Sequence, residues 1–265
     1  MGREEKLDAL KSYIADKGSM LISYSGGVDS SLLAAVATAV LGSNSRGVLL
    51  DSPVVPRRIL CDAVACARDL GLNLEIIPVS LLENDQFRKN PTERCYFCKK
   101  LSAKILKEKA KELHMACIAD GINVSDLEEH RPGLDASNEE GFVHPFIETG
   151  ITKEDIREIA RDLGYTFWNK PSAACLSSRI PYGQEITKED LRMIEEAEDF
   201  LSEKGFSQFR VRNHGGVARI EIIPVEFETL MRLRAEVSGN LKKMGFSYVT
   251  VDLDGYRSGS MDEIL

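Results

Sequence analysis

Between Met20 and about Gly164, short apolar runs alternate with amphipathic stretches in which apolar positions recur at helical spacing. The apolar runs, which predict β-strands, are Met20–Tyr24, Arg46–Asp51, Asn73–Val79 and Met115–Asp120. The amphipathic stretches predict helices at Asp29–Leu41, at Pro56–Leu70, at Arg94–Leu113 and from the capping pair Thr152 and Asp155 to Leu163. Strands separated by helices of this length are typical of βαβ units. The pattern therefore predicts an α/β fold with a doubly wound parallel sheet.

Residues 170–184 interrupt this alternation, because two prolines, a glycine and three serines occur there without apolar periodicity. Such a composition is typical of a loop or linker. Beyond it the order becomes a helix from Thr187, strands near Ser207–Asn213 and Val217–Ile223, a helix from Pro224 and a strand near Phe246–Leu253. This α+β order predicts a domain boundary near residue 184, with domains at 1–184 and 185–265. The pentapeptide Ile-Thr-Lys-Glu-Asp, at 151–155 and again at 186–190, predicts two similar helix starts.

Charge and hydropathy narrow the range of partners. The chain has 265 residues and a formal net charge of −8. A protein that follows a nucleic-acid backbone needs a basic excess, so a nucleic-acid partner is disfavoured. No uncharged stretch reaches the ~20 apolar residues of a spanning helix, and the charged N-terminal residues do not resemble a signal peptide. We expect a cytoplasmic protein without a membrane partner, and a homo-oligomer whose smaller domain serves substrate binding and assembly.

The sharpest motif is Ser25-Gly26-Gly27-Val28-Asp29-Ser30, which follows a predicted strand, with Ser23 in that strand, and opens a helix. Glycines let a backbone approach a ligand closely, and the N-terminus of a helix offers N–H groups and a positive dipole. The serine hydroxyls add donors, so the segment predicts a nest for a pyrophosphate-like anion. It lacks the Gly-Lys-Ser/Thr ending of a Walker A loop, which argues against γ-phosphate transfer. The alternative is a plain strand–turn–helix junction built from small residues.

This motif resembles the PP-loop of N-type ATP pyrophosphatases, which cleave ATP between the α- and β-phosphates and transfer AMP to an oxygen. A second segment, residues 119–126 followed by Arg131-Pro132-Gly133, is similar to segments beside the nucleotide in that superfamily. The resemblance implies that Asp29 orients Mg²⁺. It implies further nucleotide contacts at Ser23, Asp51, Asp120, Gly121 and Asn123.

Five further segments occur in order and make the resemblance more specific: Asp51-Ser52-Pro53, Arg94 to Lys99, Pro171 to Arg179, Arg210-Val211-Arg212 and Asp254 to Gly259. Together with the PP-loop they resemble the LarE family of ATP-dependent sulfur transferases over nearly the whole chain. That family converts the carboxylates of pyridinium-3,5-biscarboxylic acid mononucleotide to thiocarboxylates, which yields a precursor of the nickel-pincer cofactor of lactate racemase. The resemblance implies a nucleotide-like substrate, ATP with Mg²⁺, and sulfide or another sulfur donor.

The same resemblance also implies roles for several arginines and acidic residues. Arg210 and Arg212 alternate on one predicted strand and so face one side, which suits a phosphate; a solvated edge strand is the alternative. The family pattern implies that Ser178, Arg179, Arg210 and Arg212 bind the substrate phosphate. Glu198, Glu221 and Glu228 match or approach family positions that hold metal ions, although acidic helix residues usually form a solvated face.

The cysteines raise the question of the sulfur source. Cys95 and Cys98 are three apart near a helix start, which places both sulfurs on one face and favours thiolates. By themselves they fit half a zinc site, a redox pair or coincidence, and the four histidines offer no obvious fourth ligand. The resemblance implies two routes: sacrifice of the Cys175 sulfur, which leaves dehydroalanine, or a 4Fe-4S cluster on Cys95, Cys98 and Cys175. We favour the cluster, because this chain has all three cysteines. Cys61, Cys66 and Cys117 are interpreted as core residues.

Other functions remain compatible with a PP-loop. A tRNA thiolase would need the basic surface that the charge balance does not provide. An amide-forming ligase would need an ammonia-supplying domain or partner, and the chain has no room for that domain. A non-enzymatic ATP sensor or iron–sulfur carrier is the third alternative.

Overall fold

A computed structural model describes residues 2–128, 132–171, 174–257, 259–261 and 263. Arg131, Ser172, Ala173 and Ser258, which belong to the motifs quoted above, lie outside the described residues. The chain forms two compact units. The first comprises residues 1–80 and 93–173, and the second comprises residues 81–92 and 174–265.

The first unit is built on a four-stranded parallel sheet with the order β3-β2-β1-β4. Its strands are β1 (Met20–Ser23), β2 (Ser45–Asp51), β3 (Leu74–Pro78) and β4 (Cys117–Ala119). All four were predicted within a few residues, and the predicted α/β class with a parallel sheet is confirmed. The central strands β1 and β2 are largely buried, and parallel strands buried on both faces read as continuous apolar runs, which is why these two segments stand out in the sequence.

Helices cover both faces of this sheet. They are α1 (Arg3–Lys17), α2 (Val28–Leu41), α3 (Arg57–Asp69), α5 (Arg94–Glu112), α6 (Pro132–Glu139), α7 (Pro145–Glu148) and α8 (Lys153–Asp162); α4 (Asp85–Arg88) belongs to the second unit. Met20 and Ile22 of β1 belong to a cluster with α1, α2 and α8. Leu21, between them, belongs to a different cluster with α5. Since successive strand residues point to opposite faces, this division is that of a doubly wound sheet.

The second unit contains a small mixed sheet with the order β5-β6-β7. Its strands are β5 (Phe209–His214), β6 (Val217–Ile222) and β7 (Tyr248–Val251), with β5 antiparallel and β7 parallel to β6. Its remaining helices are α9 (Lys188–Glu203), α10 (Phe227–Arg232) and α11 (Arg234–Met244). The helix predicted from Pro224 begins as a 3-10 turn, Pro224–Glu226, and continues as α10 and α11. In the part of the chain that the structure describes, no helix is both long and apolar enough to cross a membrane.

The sequence did not predict that residues 81–92 belong to the second unit. Asn90 is fully buried with φ of 54°, and its Nδ2 donates to the carbonyls of Ile180 (3.1 Å) and Pro181 (2.8 Å). Its own carbonyl accepts from the backbone N–H of Gly183 at 2.9 Å. Asn90 thus ties this segment to residues far along the chain. The domain boundary near residue 184 stays a prediction.

Replacing Asn90 tests this connection. We expect Asn90→Gly to lower the free energy of unfolding by about 1–3 kcal/mol, because two buried carbonyls lose their donor. Asn90→Ala should cost about 1 kcal/mol more, since alanine tolerates a positive φ poorly. Urea denaturation measures both, with Asn240→Ala, at a partly exposed position of α11, as the control. Equal stability of the glycine and alanine variants would contradict the role of the backbone conformation.

Candidate active site

The PP-loop lies between the end of β1 and the first turn of α2. The Oγ atoms of Ser25 and Ser30 are 3.0 Å apart, the backbone N–H of Ser25 donates to Ser30 Oγ at 3.2 Å, and Ser30 Oγ donates to the Gly27 carbonyl at 3.2 Å. Ser30 is buried, whereas Ser25 is exposed. The Ser30 hydroxyl therefore closes the loop from inside, and Ser25 is the serine that presents a hydroxyl at the surface.

Two glycines allow this loop to lie against its neighbours. Gly26 has φ of 73°, and a Cβ placed on it would lie 2.3 Å from the Cβ of Ala63 in α3. A Cβ on Gly121, after β4, would lie 2.8 Å from the backbone N of Ser30. Neither position accepts a side chain without a shift of the backbone. The strand order changes direction between β1 and β4, so the PP-loop and Gly121 flank the switch point at which open α/β sheets bind ligands.

A lysine that the sequence interpretation missed faces the loop. Lys153 Nζ lies 2.6 Å from Oδ1 and 2.5 Å from Oδ2 of Asp29. Lys153 is the first residue of α8, directly after the predicted cap Thr152, whose side chain accepts from the N–H of Asp155. Spacing predicted the helix start, but nothing local indicated that its lysine would meet the PP-loop, 124 residues earlier.

Asp51 and Ser23 lie on the neighbouring strands. The Asp51 carboxylate accepts from Arg57 Nη1 at 2.5 Å, and Arg57 Nη2 also donates to the carbonyls of Ser52 and Val55 at 2.7 and 2.8 Å. This arginine fastens the turn between β2 and α3. Ser23, the last residue of β1, is half-buried beside Val48. The predicted nucleotide contacts of both residues stay predictions.

Asp120, directly after β4, has a buried carboxylate that is hydrogen-bonded to several side chains. Its carboxylate accepts from Lys99 Nζ at 2.8 Å and Ser137 Oγ at 2.7 Å, and His144 Nδ1 lies 2.7 Å from it. Burial by itself would raise the pKa of Asp120, but the bond to His144 and the charge of Lys99 outweigh burial and hold the pKa at about 2. The carboxylate is fully engaged inside the protein, so it positions Lys99 and His144.

Asn123 is also engaged within its own turn. Its Nδ2 donates to Asp126 Oδ2 at 2.9 Å, and its Oδ1 accepts from the N–H of Ser125 at 3.0 Å. These bonds fix the shape of residues 121–126 after β4. A nucleotide contact by Asn123 stays a prediction, as does the one by Asp120.

The predicted cluster ligands come from both units. Cys95 and Cys98 occupy the first two turns of α5, where Cys95 is exposed and Cys98 is half-buried. Cys175 belongs to the second unit, is half-buried and precedes a 3-10 turn at Leu176–Arg179. Within the described ranges, no group of three or more histidine, cysteine, aspartate or glutamate side chains is arranged to hold a metal ion. The cluster therefore stays a prediction.

Arg179 fastens the loop that carries Cys175. Its Nη1 donates to the carbonyls of Ala174 and Cys175, each at 3.0 Å, and its Nε and Nη2 donate to the two carboxylate oxygens of Glu198, also at 3.0 Å. Ser178 Oγ donates to the same Cys175 carbonyl at 2.8 Å. Only 3% of Arg179 is exposed. Its donors are engaged inside the protein, so the substrate-phosphate role of Arg179 and Ser178 stays a prediction.

Glu221 forms a second buried ion pair. This fully buried carboxylate accepts from Arg212 Nη2 at 2.7 Å, and from Arg219 and Ser260 at 2.8 Å each. Arg212 Nη1 donates to the Ser178 carbonyl at 2.8 Å. Glu198 and Glu221 both neutralise arginines here, and their predicted metal role stays a prediction.

Arg210 differs from the other two arginines. Its guanidinium lies over the ring of Tyr256, 5.2 Å from the centroid, and its Nη1 donates to the Phe209 carbonyl. Among the described residues, no carboxylate forms an ion pair with it. Burial, and next the positive charge of Arg179, lower the pKa of Arg210. An anion would relieve this repulsion, so Arg210 is the arginine of the predicted set best suited to a phosphate.

The pair of Arg179 and Glu198 can be tested through the reactivity of Cys175. We expect Glu198→Gln to reduce the free energy of unfolding by about 1–3 kcal/mol, because a buried guanidinium loses its countercharge. The Cys175 loop should loosen, and its thiol should be alkylated faster by iodoacetamide, as followed by peptide mass spectrometry. Glu196→Gln, which alters an exposed partner of Arg192 on the same helix, is the control. Unchanged alkylation in the less stable Glu198→Gln would show that the pair does not hold the loop.

Some known proteins are similar to this chain over part of its length, and others over almost all of it. A family model described as NAD synthase matches residues 3–112. A glutamine-dependent NAD(+) synthetase of Synechocystis sp. is 43% identical over 60 residues, which are 22% of this chain and 11% of that enzyme. The match to the family model covers the PP-loop and the strands and helices around it.

Other relatives match almost from end to end. An uncharacterized protein of Synechocystis sp. is 39% identical over 264 residues, which are 99% of this chain and 98% of that protein. The pyridinium-3,5-bisthiocarboxylic acid mononucleotide synthase of Lactiplantibacillus plantarum is 33% identical over 261 residues, 98% of this chain and 95% of that enzyme. With this identity over both units and the PP-loop at the switch point of its sheet, the chain belongs to the LarE family of ATP-dependent sulfur transferases within the PP-loop superfamily.

Proposed function

We propose that this enzyme converts the carboxylates of pyridinium-3,5-biscarboxylic acid mononucleotide to thiocarboxylates, in the biosynthesis of the nickel-pincer cofactor of lactate racemase. The observation that carries the proposal is the 33% identity, over 98% of the chain, to the synthase of the corresponding bisthiocarboxylic acid. The PP-loop of the first unit supports it, since activation of a carboxylate by ATP is the chemistry that such a loop serves. The predicted cytoplasmic location and homo-oligomeric state stay predictions.

The first step is adenylylation. A carboxylate oxygen of the substrate attacks the α-phosphorus of ATP, the bond to the bridging oxygen breaks, and pyrophosphate leaves with the electron pair. The N-terminus of α2 and the Ser25 hydroxyl bind the phosphates, because oriented N–H groups and a helix dipole favour anions there. Asp29 is the residue that would hold Mg²⁺, which offsets the charge of the pyrophosphate when bound. The product is an acyl-adenylate with AMP as a good leaving group.

Sulfur transfer completes the reaction. A sulfur nucleophile attacks the acyl carbon, the bond between that carbon and the AMP oxygen breaks, and AMP departs. The thiocarboxylate remains. Arg210 binds the phosphate of the mononucleotide in this proposal, and Arg179 holds the Cys175 loop through its bonds to two carbonyls and Glu198.

We further propose that Cys95, Cys98 and Cys175 ligate a 4Fe-4S cluster, which would supply a transferable sulfide at the iron that has no protein ligand. The first two cysteines fit such a group, since they lie three residues apart at the start of α5, where the helix dipole favours thiolates. Lys99, the next residue, adds a positive charge nearby. Sacrifice of the Cys175 sulfur is the competing route.

The nucleotide chemistry has a direct test. ATP with the pyridinium substrate should give AMP and pyrophosphate, and Asp29→Ala should lower this rate at least tenfold, while its thermal stability changes little because Asp29 is partly exposed. Nucleotides are separated by chromatography and pyrophosphate is measured enzymatically. Asp62→Asn, on the exposed side of α3, should behave as the wild type. Formation of ADP and inorganic phosphate would contradict the assignment.

The sulfur source is tested by anaerobic purification and intact mass spectrometry. We expect iron, acid-labile sulfide and a visible absorption band, all lost in Cys95→Ala and Cys98→Ala together with multiple turnover. Cys61, which was predicted to be a core residue, is instead exposed on α3, and Cys61→Ala should keep both properties. The competing route predicts one sulfur transferred per chain and a loss of H₂S from Cys175. Complete dehydroalanine at position 175, with activity indifferent to Cys95 and Cys98, would overturn the cluster.

A further inference from the structure

The C-terminal segment, residues 254–263, contains the motif Asp254 to Gly259, to which the proposed reaction gives no role. Its start is anchored at the end of β6, where the N–H of Tyr256 donates to the Ile222 carbonyl at 2.9 Å. Gly255 has φ of 74°, and a Cβ placed on it would lie 2.7 Å from that same carbonyl oxygen. This close approach requires glycine, so it fixes the point at which the segment leaves the sheet of the second unit.

Tyr256, the residue after this glycine, lies against Arg210. The guanidinium lies over the tyrosine ring, 5.2 Å from the centroid, and Arg210 Nη1 donates to the Phe209 carbonyl at 2.7 Å. The face of an aromatic ring attracts a cation without accepting the hydrogen bonds that lie in the plane of the guanidinium. A carboxylate would accept them, as Glu198 does from Arg179. Tyr256 therefore holds the charge of Arg210 in place and leaves donors for an anion.

Ser260 is part of the buried ion pair between Arg212 and Glu221. Only 6% of Ser260 is exposed, and its Oγ accepts from Arg212 Nη2 at 3.0 Å and donates to Glu221 Oε1 at 2.8 Å. These directions follow from the partners, since a guanidinium only donates and a carboxylate only accepts. The same Arg212 Nη2 donates to Glu221 Oε2 at 2.7 Å. The three side chains thus form a closed ring of hydrogen bonds, in which the C-terminal segment supplies the uncharged member.

The other end of the Arg212 guanidinium reaches the Cys175 loop. Arg212 Nη1 donates to the Ser178 carbonyl at 2.8 Å, and Ser178 Oγ donates to the Cys175 carbonyl at 2.8 Å. A guanidinium is planar and rigid, so holding one of its nitrogens sets the direction of the other. A continuous series of hydrogen bonds therefore runs from Ser260 through Arg212 to the loop that carries the Cys175 thiol, entirely within the second unit.

We propose that the C-terminal segment positions two groups of the reaction. Tyr256 holds Arg210 in the orientation that binds the substrate phosphate, and Ser260 holds Arg212 against the Cys175 loop. Both act through an arginine, so they are positioning residues. The proposal rests on the proposed function, in which Arg210 binds phosphate and Cys175 serves sulfur transfer. The motif at 254–259 is accordingly required for the geometry of the substrate site, although it is far from the PP-loop in the sequence.

Binding of inorganic phosphate, measured by calorimetry, tests the role of Tyr256. Tyr256→Leu should weaken phosphate binding about threefold to tenfold, as expected for loss of a cation–π contact, whereas Tyr256→Phe keeps the ring and should stay within about twofold of the wild type. Tyr248→Leu, at an exposed tyrosine of β7, is the matched control. No pyridinium compound is involved, so a wrong substrate assignment would leave these affinities unchanged.

The same substitution in an Arg210→Ala background separates positioning from a general effect on folding. If Tyr256 acts through Arg210, then Tyr256→Leu should have no further effect on phosphate affinity there, and phosphate bound at the PP-loop does not enter the difference. An equal effect of Tyr256→Leu in both backgrounds would overturn the role of Tyr256. A wild type that binds phosphate no better than Arg210→Ala would overturn the phosphate role of Arg210 and with it that of Tyr256.

The rate at which iodoacetamide alkylates Cys175 in the protein as purified tests the role of Ser260. Ser260→Ala should raise this rate about threefold or more, because Arg212 loses a buried hydrogen bond and holds the loop less firmly. Ser260→Thr restores the hydroxyl and should remain near the wild-type rate. Ser207→Ala is the matched control, since the exposed Ser207 hydroxyl also donates to a carboxylate of this unit, that of Glu226, at 2.8 Å.

Two other cysteines report on the general stability of the same sample. Cys66 and Cys117 are half-buried in the first unit, so their alkylation accelerates only if the protein loosens as a whole. Peptide mass spectrometry follows all three thiols together. An acceleration confined to Cys175 is the expected result. An unchanged Cys175 rate in Ser260→Ala, or an equal acceleration at Cys66 and Cys117, would overturn the role of Ser260.

Discussion

A buried carboxylate needs several donors to stay ionised, and in the first unit this requirement organises the surroundings of the active site. Asp120 accepts from Lys99 of α5 and Ser137 of α6 and is bonded to His144 ahead of α7. Removing any one of these partners would leave a charge partly unsatisfied in a dry environment, at a cost of several kcal/mol. Asp120 is followed at once by Gly121, which lies against the PP-loop, and Lys99 follows Cys98. The Asp120 carboxylate is therefore adjacent in sequence to the glycine that lies against the PP-loop, and it is also bonded to α5, the helix that carries two of the proposed cluster ligands.

In the second unit the buried charges are positive, and they need carboxylates as partners. Here the deeply buried groups are the guanidinium groups of Arg179 and Arg212, and Glu198 and Glu221 supply the countercharge. Buried ion pairs add little net stability compared with apolar packing, but they are costly to break, so they hold a particular arrangement. The arrangement held is that of the Cys175 loop, whose carbonyls at 174, 175 and 178 accept from these two arginines. Because Arg179 and Arg212 are committed to these ion pairs, Arg210, whose guanidinium lies over the ring of Tyr256, is the arginine that we propose for the phosphate.

The sequence predicts those parts of the molecule that local patterns determine. The strands of the parallel sheet appear as apolar runs, α8 and α9 are marked by their capping threonines, and the PP-loop is marked by its glycines and by its place after a strand. It does not predict contacts between distant residues. Asn90 donates to carbonyls about ninety residues away, and Lys153 forms an ion pair with an aspartate 124 residues away. No residue spacing in the sequence indicates either contact. The arginine–glutamate pairs were missed for another reason: a guanidinium that binds phosphate and one that binds a buried carboxylate look identical in a motif.

The repeated pentapeptide shows the difference between structure that the local sequence determines and contacts that depend on the whole fold. Both copies of Ile-Thr-Lys-Glu-Asp form the same structure, in which a buried isoleucine precedes a threonine that caps a helix through an aspartate. Local physical chemistry therefore accounts fully for the shape of each copy. Their lysines nevertheless have different surroundings, because Lys153 at the start of α8 contacts Ser125 and Asp29, whereas the residues at the start of α9 are exposed. The chemical role of a lysine in this pentapeptide is set by the charge that the fold places opposite it, which for Lys153 is the one carboxylate of the nucleotide loop.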